Sequence, residues 1–90
     1  MPEIVREIRI ENKLGIHARP AARLVQLTSR FSSEIILKRG GEEVNGKSIM
    51  GVLMLAAPQG STVTVIARGA DAEEAVGEIE DLVRSKFGEE

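Results

Sequence analysis

Hydrophobic and polar residues alternate near the start of the chain, as in a strand with one buried face. Ile4, Ile8 and Ile10 share one parity, while mainly charged residues take the other. This pattern predicts a first strand over residues 3–10. Further strands are predicted at 34–39, at 42–45 after the hairpin signal Gly40-Gly41, and through Val63, Val65 and Ala67.

Helical spacing separates these strands. Pro20 lacks an amide N–H and fits only the first turn of a helix, so the first helix should begin near Ala18 and continue to Ser32-Ser33. A second helix is predicted from its N-cap Ser48 to about Leu55. Asp71 is predicted as the N-cap of a third helix. The apolar stripe of that helix comprises Ala72, Ala75, Val76, Ile79, Leu82, Val83 and Phe87.

The resulting order is β-α-β-β-α-β-α. Each strand has one apolar and one more polar face, so we expect a four-stranded, mostly antiparallel sheet with three helices on one face and water on the other. This is an α/β (α+β) open-faced sandwich. With 90 residues and 42% hydrophobic content, the chain has material for one small core, and we expect a single domain over residues 1–90.

Composition narrows the classes of function. The chain has no Cys, so neither disulfides nor a thiolate metal site is expected. A sequence pI near 5.5 and an aromatic content of two Phe argue against nucleic-acid binding. The longest apolar stretch, residues 52–57, is too short to cross a bilayer. We therefore expect a cytoplasmic protein, without cofactor or metal.

His17 is the single histidine, and it follows a glycine-containing loop at the predicted start of the first helix. A helix N-terminus has amide N–H groups without partners and a dipole that favours negative charge, so a phosphoryl group would find donors there. Arg19 can present a guanidinium to the same oxygens, and Lys13 and Arg23 add positive charge. Imidazole is largely neutral near pH 7, so a ring nitrogen can attack phosphorus. The alternative is an ordinary surface histidine.

Two motifs carry a family resemblance. Leu14-Gly15-Ile16-His17-Ala18-Arg19-Pro20-Ala21-Ala22 resembles the active-site signature of HPr, the histidine-containing phosphocarrier of the phosphoenolpyruvate-dependent sugar phosphotransferase system. Lys47-Ser48-Ile49-Met50-Gly51-Val52 resembles the second signature of that family, around its regulatory serine. The resemblance covers residues 3–87.

This resemblance implies a phosphocarrier and not an enzyme. His17 would accept a phosphoryl group on Nδ1 from Enzyme I and pass it to IIA proteins or domains, with Arg19 facing the phosphate. Several family members have a polar residue three positions before the histidine, which orients the ring. This chain has Leu14 there and Asn12 two places earlier, so the sequence leaves the orientation of the ring open.

Ser48 has two interpretations. It can be a simple N-cap, or, by the resemblance, the target of a dedicated HPr kinase/phosphorylase where that enzyme exists. Apolar side chains that lie beside it are either core or a docking surface, and the resemblance favours docking of Enzyme I and IIA partners. The predicted docking residues are Ala22, Arg23, Ile49, Met50 and Leu53.

Two alternative functions are compatible with the sequence. The chain could be a purely regulatory or nitrogen-branch paralogue of the phosphocarrier. More distantly, it could be a small module that binds nucleic acid or an acidic protein, with His17 incidental. We expect a monomer that binds neither nucleic acid nor membrane.

Overall fold

The computed structural model describes residues 2–89 and has the predicted order of elements. Four strands and three helices are followed by a short 3₁₀ turn at Lys86–Gly88. The strands are β1 Glu3–Arg9, β2 Glu34–Arg39, β3 Glu42–Asn45 and β4 Thr62–Arg68; the helices are α1 Ala18–Thr28, α2 Ile49–Met54 and α3 Ala72–Arg84. No helix within residues 2–89 has the length and apolar character that crossing a bilayer requires.

The sheet is antiparallel throughout, in the order β1-β4-β2-β3. The last strand in sequence lies between β1 and β2, with Glu3 opposite Arg68 and Glu34 opposite the same arginine. On β4, Val63, Val65 and Ala67 are buried and face the helices. This is the predicted open-faced sandwich.

Two helices end earlier than the sequence indicates. α1 stops at Thr28, because the amides of Arg30 and Phe31 bond to carbonyls three residues back and the chain tightens into a turn. α3 stops at Arg84, so Phe87 does not belong to its helical stripe. Phe87 is nevertheless fully buried, and burial of such a side chain stabilises the fold by about 1.5–3 kcal/mol.

Asp71 occupies the N-cap position of α3, but its side chain does not cap that helix. The carboxylate instead accepts hydrogen bonds from the amides of Ser32 and Ser33, both at 2.9 Å, and from both serine hydroxyls. The prediction of the position was correct and that of the capping bond was wrong. These donors, first the Ser33 hydroxyl and then the Ser32 amide, lower the pKa of Asp71 from 3.8 to about 2.

Replacement of Asp71 with alanine should therefore destabilise the fold in a pH-dependent way. The pKa is lower in the folded state, so the stabilisation is fully present above about pH 4 and is lost as the pH falls through about 2. Urea denaturation of the parent and Asp71→Ala at a series of pH values measures the difference. Asp81→Ala, which removes an exposed carboxylate from α3, is the control. A difference that stays constant from neutral pH to about pH 2 would show that the ionised carboxylate is not the cause.

Candidate functional site

The loop between β1 and α1 is fixed by its neighbours before it reaches His17. The Ile16 amide donates to the Ala57 carbonyl at 2.8 Å, and the side chain of Ile16 is buried. Gly15 has φ +68°, and a Cβ there would overlap the Ala57 carbonyl oxygen and lie 2.8 Å from the Pro58 Cα. Glycine is required at this position because both the dihedral angle and the space exclude a side chain. These contacts therefore fix the backbone of the loop immediately before His17.

His17 is the N-cap residue of α1, with extended backbone angles and no capping hydrogen bond from its side chain. The ring is 39% exposed, and its Nε2 lies 2.9 Å from Oε2 of Glu89. Within residues 2–89, Nδ1 has no hydrogen-bond partner. Nε2 is thus held by Glu89, and no residue among 2–89 hydrogen-bonds Nδ1.

The first turn of α1 supplies donors beside this ring. The amides of Ala18 and Arg19 have no intrahelical acceptor, as at any helix N-terminus, and the dipole adds positive potential there. Arg19 is exposed and lines an open cleft of about 420 Å³ together with Lys13, Leu14 and Glu89. His17 and Arg19 thus belong to the same helix start, and Arg19 lines a cleft with Glu89, the residue that contacts His17. The amides and the guanidinium are groups suited to an anion.

Arg23 makes a contact that the sequence did not predict. Its guanidinium donates a hydrogen bond to the backbone carbonyl of Phe87 and is half-buried. The side chain therefore fastens the C-terminal end of the chain to α1.

Ser48 lies at the N-cap of α2, and its hydroxyl accepts a hydrogen bond from the Gly51 amide at 3.0 Å. The predicted capping role is confirmed, and α2 begins at the next residue. The helices α1 and α2 pack against each other, so the helix that Ser48 caps lies beside the helix that His17 begins.

Most of the exposed large apolar side chains lie on α2 and in the loop before α1, and Val5 of β1 is a further one. Met50 is 70% exposed and Ile49 44%, whereas Ala22 and Leu53 are half-buried. Sequence analysis missed three further exposed apolar residues, Val5 on β1, Leu14 and Met54. Helical periodicity cannot identify Leu14 or Met54 as exposed, since Leu14 lies in a loop and α2 has apolar residues on all sides.

Two polar residues at the site were also missed. Asn12 is fully buried, and its Nδ2 donates to Gly15 O at 2.6 Å and to Glu89 Oε1 at 2.9 Å. No nearby sequence pattern predicts that Glu89 contacts His17, because the two residues are 72 positions apart. The described part of the chain contains no group of three or more His, Asp or Glu that could hold a metal ion.

Residues 4–85 match the family described as "PTS HPr component phosphorylation site". The chain is 49% identical to the phosphocarrier protein HPr of Cupriavidus necator over 84 residues, 93% of this chain and 94% of that protein. It is 47% identical to the HPr of Treponema pallidum over 87 residues, 97% and 99% of the two chains. The crystal structure of HPr-C-His from Thermoanaerobacter tengcongensis superimposes with a TM-score of 0.90 at 50% identity, covering 100% of this chain and 99% of that one.

Further matches include paralogues and a dimer. The phosphocarrier protein NPr of Shewanella violacea is 40% identical over 99% of this chain, and the HPr-like protein Crh of Halalkalibacterium halodurans 45% over 81%. An HPr dimer from Thermoanaerobacter tengcongensis matches with a TM-score of 0.78 at 51% identity, covering 91% of this chain and 94% of that one.

Proposed function

The chain belongs to the HPr family of phosphocarrier proteins of the phosphotransferase system, which are carriers and not enzymes, and on this premise we propose that His17 is its phosphoryl acceptor. The observation that carries the proposal is the position of His17: its Nδ1 has no partner within residues 2–89, and His17 is the N-cap of α1, two positions before Arg19. His17 takes the group from Enzyme I and passes it to IIA proteins or domains for sugar uptake.

The transfer is a displacement at phosphorus. The lone pair of Nδ1 forms the new N–P bond while the bond to the donor imidazole of Enzyme I breaks, and the donor nitrogen keeps that electron pair. Arg19 and the amides of the first turn stabilise the charge on the phosphoryl oxygens. The reverse sequence of steps delivers the group to the next acceptor. No substrate pocket is needed, since each partner brings its own reacting group.

We assign to the chain the phosphocarrier activity of the sugar branch. We place the protein in the cytoplasm and treat residues 1–90 as one domain. NPr and Crh match this chain with lower identity or coverage than the HPr proteins given first, which favours the HPr activity over that of a nitrogen-branch or regulatory paralogue. We propose a monomer as the working form. The open side of the His17 ring and the exposed apolar residues of α2 then remain available to partners.

The direct test is incubation with phosphoenolpyruvate, Mg²⁺ and a heterologous Enzyme I, followed by intact mass measurement. A carrier gains the mass of one phosphate, and the gain requires Enzyme I. An unchanged mass, with an HPr of known activity labelled in parallel, would overturn the proposal.

We further propose that Ile49, Met50 and Leu53, with Ala22 and Arg23 of α1, form the docking surface, and that phosphorylation of Ser48 regulates it. A dedicated HPr kinase/phosphorylase would be the modifying enzyme. Phosphoserine adds about −1.5 to −2 charges beside side chains that must lose water on docking, so partner binding should weaken. The same charge is favourable at a helix N-terminus, so the fold should tolerate it.

Ser48→Asp should therefore slow phosphorylation of His17 by Enzyme I without lowering the melting temperature. We expect a rate roughly tenfold lower, partly restored at high salt as repulsion is screened. The helix gains about 0.3–1 kcal/mol from the charge. Rates are followed by mass and stability by circular dichroism.

Ser48→Asn is the matched control, because asparagine also caps a helix but is uncharged. It should transfer at close to the parental rate. If Ser48→Asp also transfers at the parental rate, or melts well below the parent, the regulatory role is wrong and Ser48 is only a cap.

A further inference from the structure

The last described residues bring a carboxylate back to the start of α1. Phe87 is fully buried, and the Arg23 guanidinium holds its carbonyl oxygen. Lys86 and Phe87 have φ of 58° and 56°, a conformation that side chains of this size rarely adopt. This left-handed turn, which buried contacts maintain, reverses the chain after α3 and directs Glu89 toward His17.

The carboxylate of Glu89 is held at both oxygens. Oε2 lies 2.9 Å from Nε2 of His17, and Oε1 accepts a hydrogen bond from Nδ2 of Asn12, also at 2.9 Å. The orientation of the Asn12 amide is fixed by Gly15, since a flipped amide would place Oδ1 against the Gly15 carbonyl oxygen. The Glu89 side chain is only 14% exposed. The contact with His17 is therefore stabilised by the hydrogen bond from Asn12 and by the burial of Glu89.

Hydrogen-bond chemistry then fixes the proton on the ring. An ionised carboxylate only accepts hydrogen bonds, so Nε2 must carry a hydrogen, and in a neutral imidazole the lone pair is then on Nδ1. We propose that Glu89 is a positioning residue for phosphoryl transfer: it holds His17 in the tautomer protonated at Nε2 and leaves Nδ1 as the nucleophile. The inference rests on the proposed function of His17. The family match ends at residue 85, so Glu89 lies outside the matched segment.

The carboxylate also acts during transfer. When Nδ1 forms the bond to phosphorus and the donor nitrogen leaves with its electron pair, the Nε2 proton stays on His17 and the ring becomes cationic. Glu89 then faces a positive ring, and the charge-assisted hydrogen bond strengthens as the new bond forms. When the group moves on, the electron pair of the N–P bond returns to Nδ1 and the ring is neutral again. A carboxylate that orients a histidine in this way is a general device in proteins.

Two substitutions separate this role from a simple effect of charge. Glu89→Ala removes the acceptor and allows both tautomers. In Glu89→Gln, Asn12 Nδ2 donates to the single carbonyl oxygen of the glutamine. The NH₂ group of the glutamine then faces Nε2 and favours the proton on Nδ1. Glutamine, although closer in size to glutamate, should therefore be at least as harmful as alanine.

The tautomer is measured by ¹⁵N NMR of the His17 ring in mildly alkaline buffer, on the unphosphorylated protein. In the parent, Nε2 should appear as the protonated nitrogen and Nδ1 as the unprotonated one. The two signals should approach each other in Glu89→Ala and exchange positions in Glu89→Gln. Ring signals that do not change in either variant would overturn the inference.

Transfer from Enzyme I gives the second readout. We expect a rate roughly tenfold lower in Glu89→Ala and lower still in Glu89→Gln. Glu7→Gln, which removes the same charge from an exposed position on β1, should keep both the parental rate and the parental spectrum. Parental transfer by Glu89→Gln would contradict the inference. If the parent itself accepts no phosphate, the proposed function fails, while the NMR result still decides the tautomer.

Discussion

His17→Ala should take up no phosphoryl group from Enzyme I and phosphoenolpyruvate, whereas the parent should gain one. The reason is chemical: His17 is the single histidine of the chain, and alanine has no nucleophilic nitrogen. The bond in the parent should be labile in acid and stable in base, because it is a phosphoramidate and not a phosphate ester. Intact mass before and after mild acid treatment measures both properties.

The substitution should leave the fold intact. The side chain of His17 makes no capping hydrogen bond, and its ring is partly exposed, so we expect a change in stability within about 0.5 kcal/mol. Circular dichroism melting of the variant is the control for folding. Labelling of a folded His17→Ala protein by Enzyme I would place the acceptor elsewhere in the chain.

Arg19→Glu should have the second largest effect, with transfer roughly 100-fold slower in both directions. Removal of one preorganised donor to a developing anion costs about 10²–10³ in rate, and glutamate adds repulsion toward the phosphoryl oxygens. The stability of the fold should instead increase, because a negative charge in the first turn of α1 interacts favourably with the helix dipole. Rates of phosphate uptake and of delivery to a IIA protein test the expected loss of transfer, and melting curves test the expected gain in stability.

Arg30→Glu is the charge-matched control, since Arg30 is also exposed but follows the opposite end of α1. It should transfer phosphate at close to the parental rate. Equal loss in the two variants would indicate a general effect of net charge. Unchanged transfer in Arg19→Glu would remove Arg19 from the site.

Most of the architecture was predictable because it depends on local patterns. The alternation of Ile4, Ile8 and Ile10 placed β1, and Gly40-Gly41 placed the hairpin between β2 and β3. Pro20 located the start of α1 because proline fits only a first turn. The end of α1 was less predictable, since no glycine or proline directly follows Thr28. Residues of that turn also bond to a distant segment, with Thr28 Oγ1 donating to Gly46 O at 2.8 Å and Lys47 Nζ donating to Phe31 O at 2.6 Å.

The candidate site was predictable only along one segment of chain. His17 and Arg19 are two residues apart, and both belong to the start of α1, which local sequence determines. The hydrogen-bond partners of Arg23 and Asp71 could not be predicted from the sequence. Arg23 bonds to Phe87 and Asp71 to Ser32 and Ser33, contacts between residues that are far apart in sequence.

By itself, then, the sequence determined the order of strands and helices, the position of His17 at a helix start and the cap at Ser48, because each depends on dihedral preferences and periodicity within a few residues. Only the tertiary structure decided what holds the His17 ring. Glu89 contacts the ring, and the buried amide of Asn12, from near the other end of the chain, holds Glu89. A left-handed turn at Lys86 and Phe87, neither of which is glycine, brings Glu89 to this position. Such a meeting depends on how β1 and α3 pack together, and no local pattern encodes it.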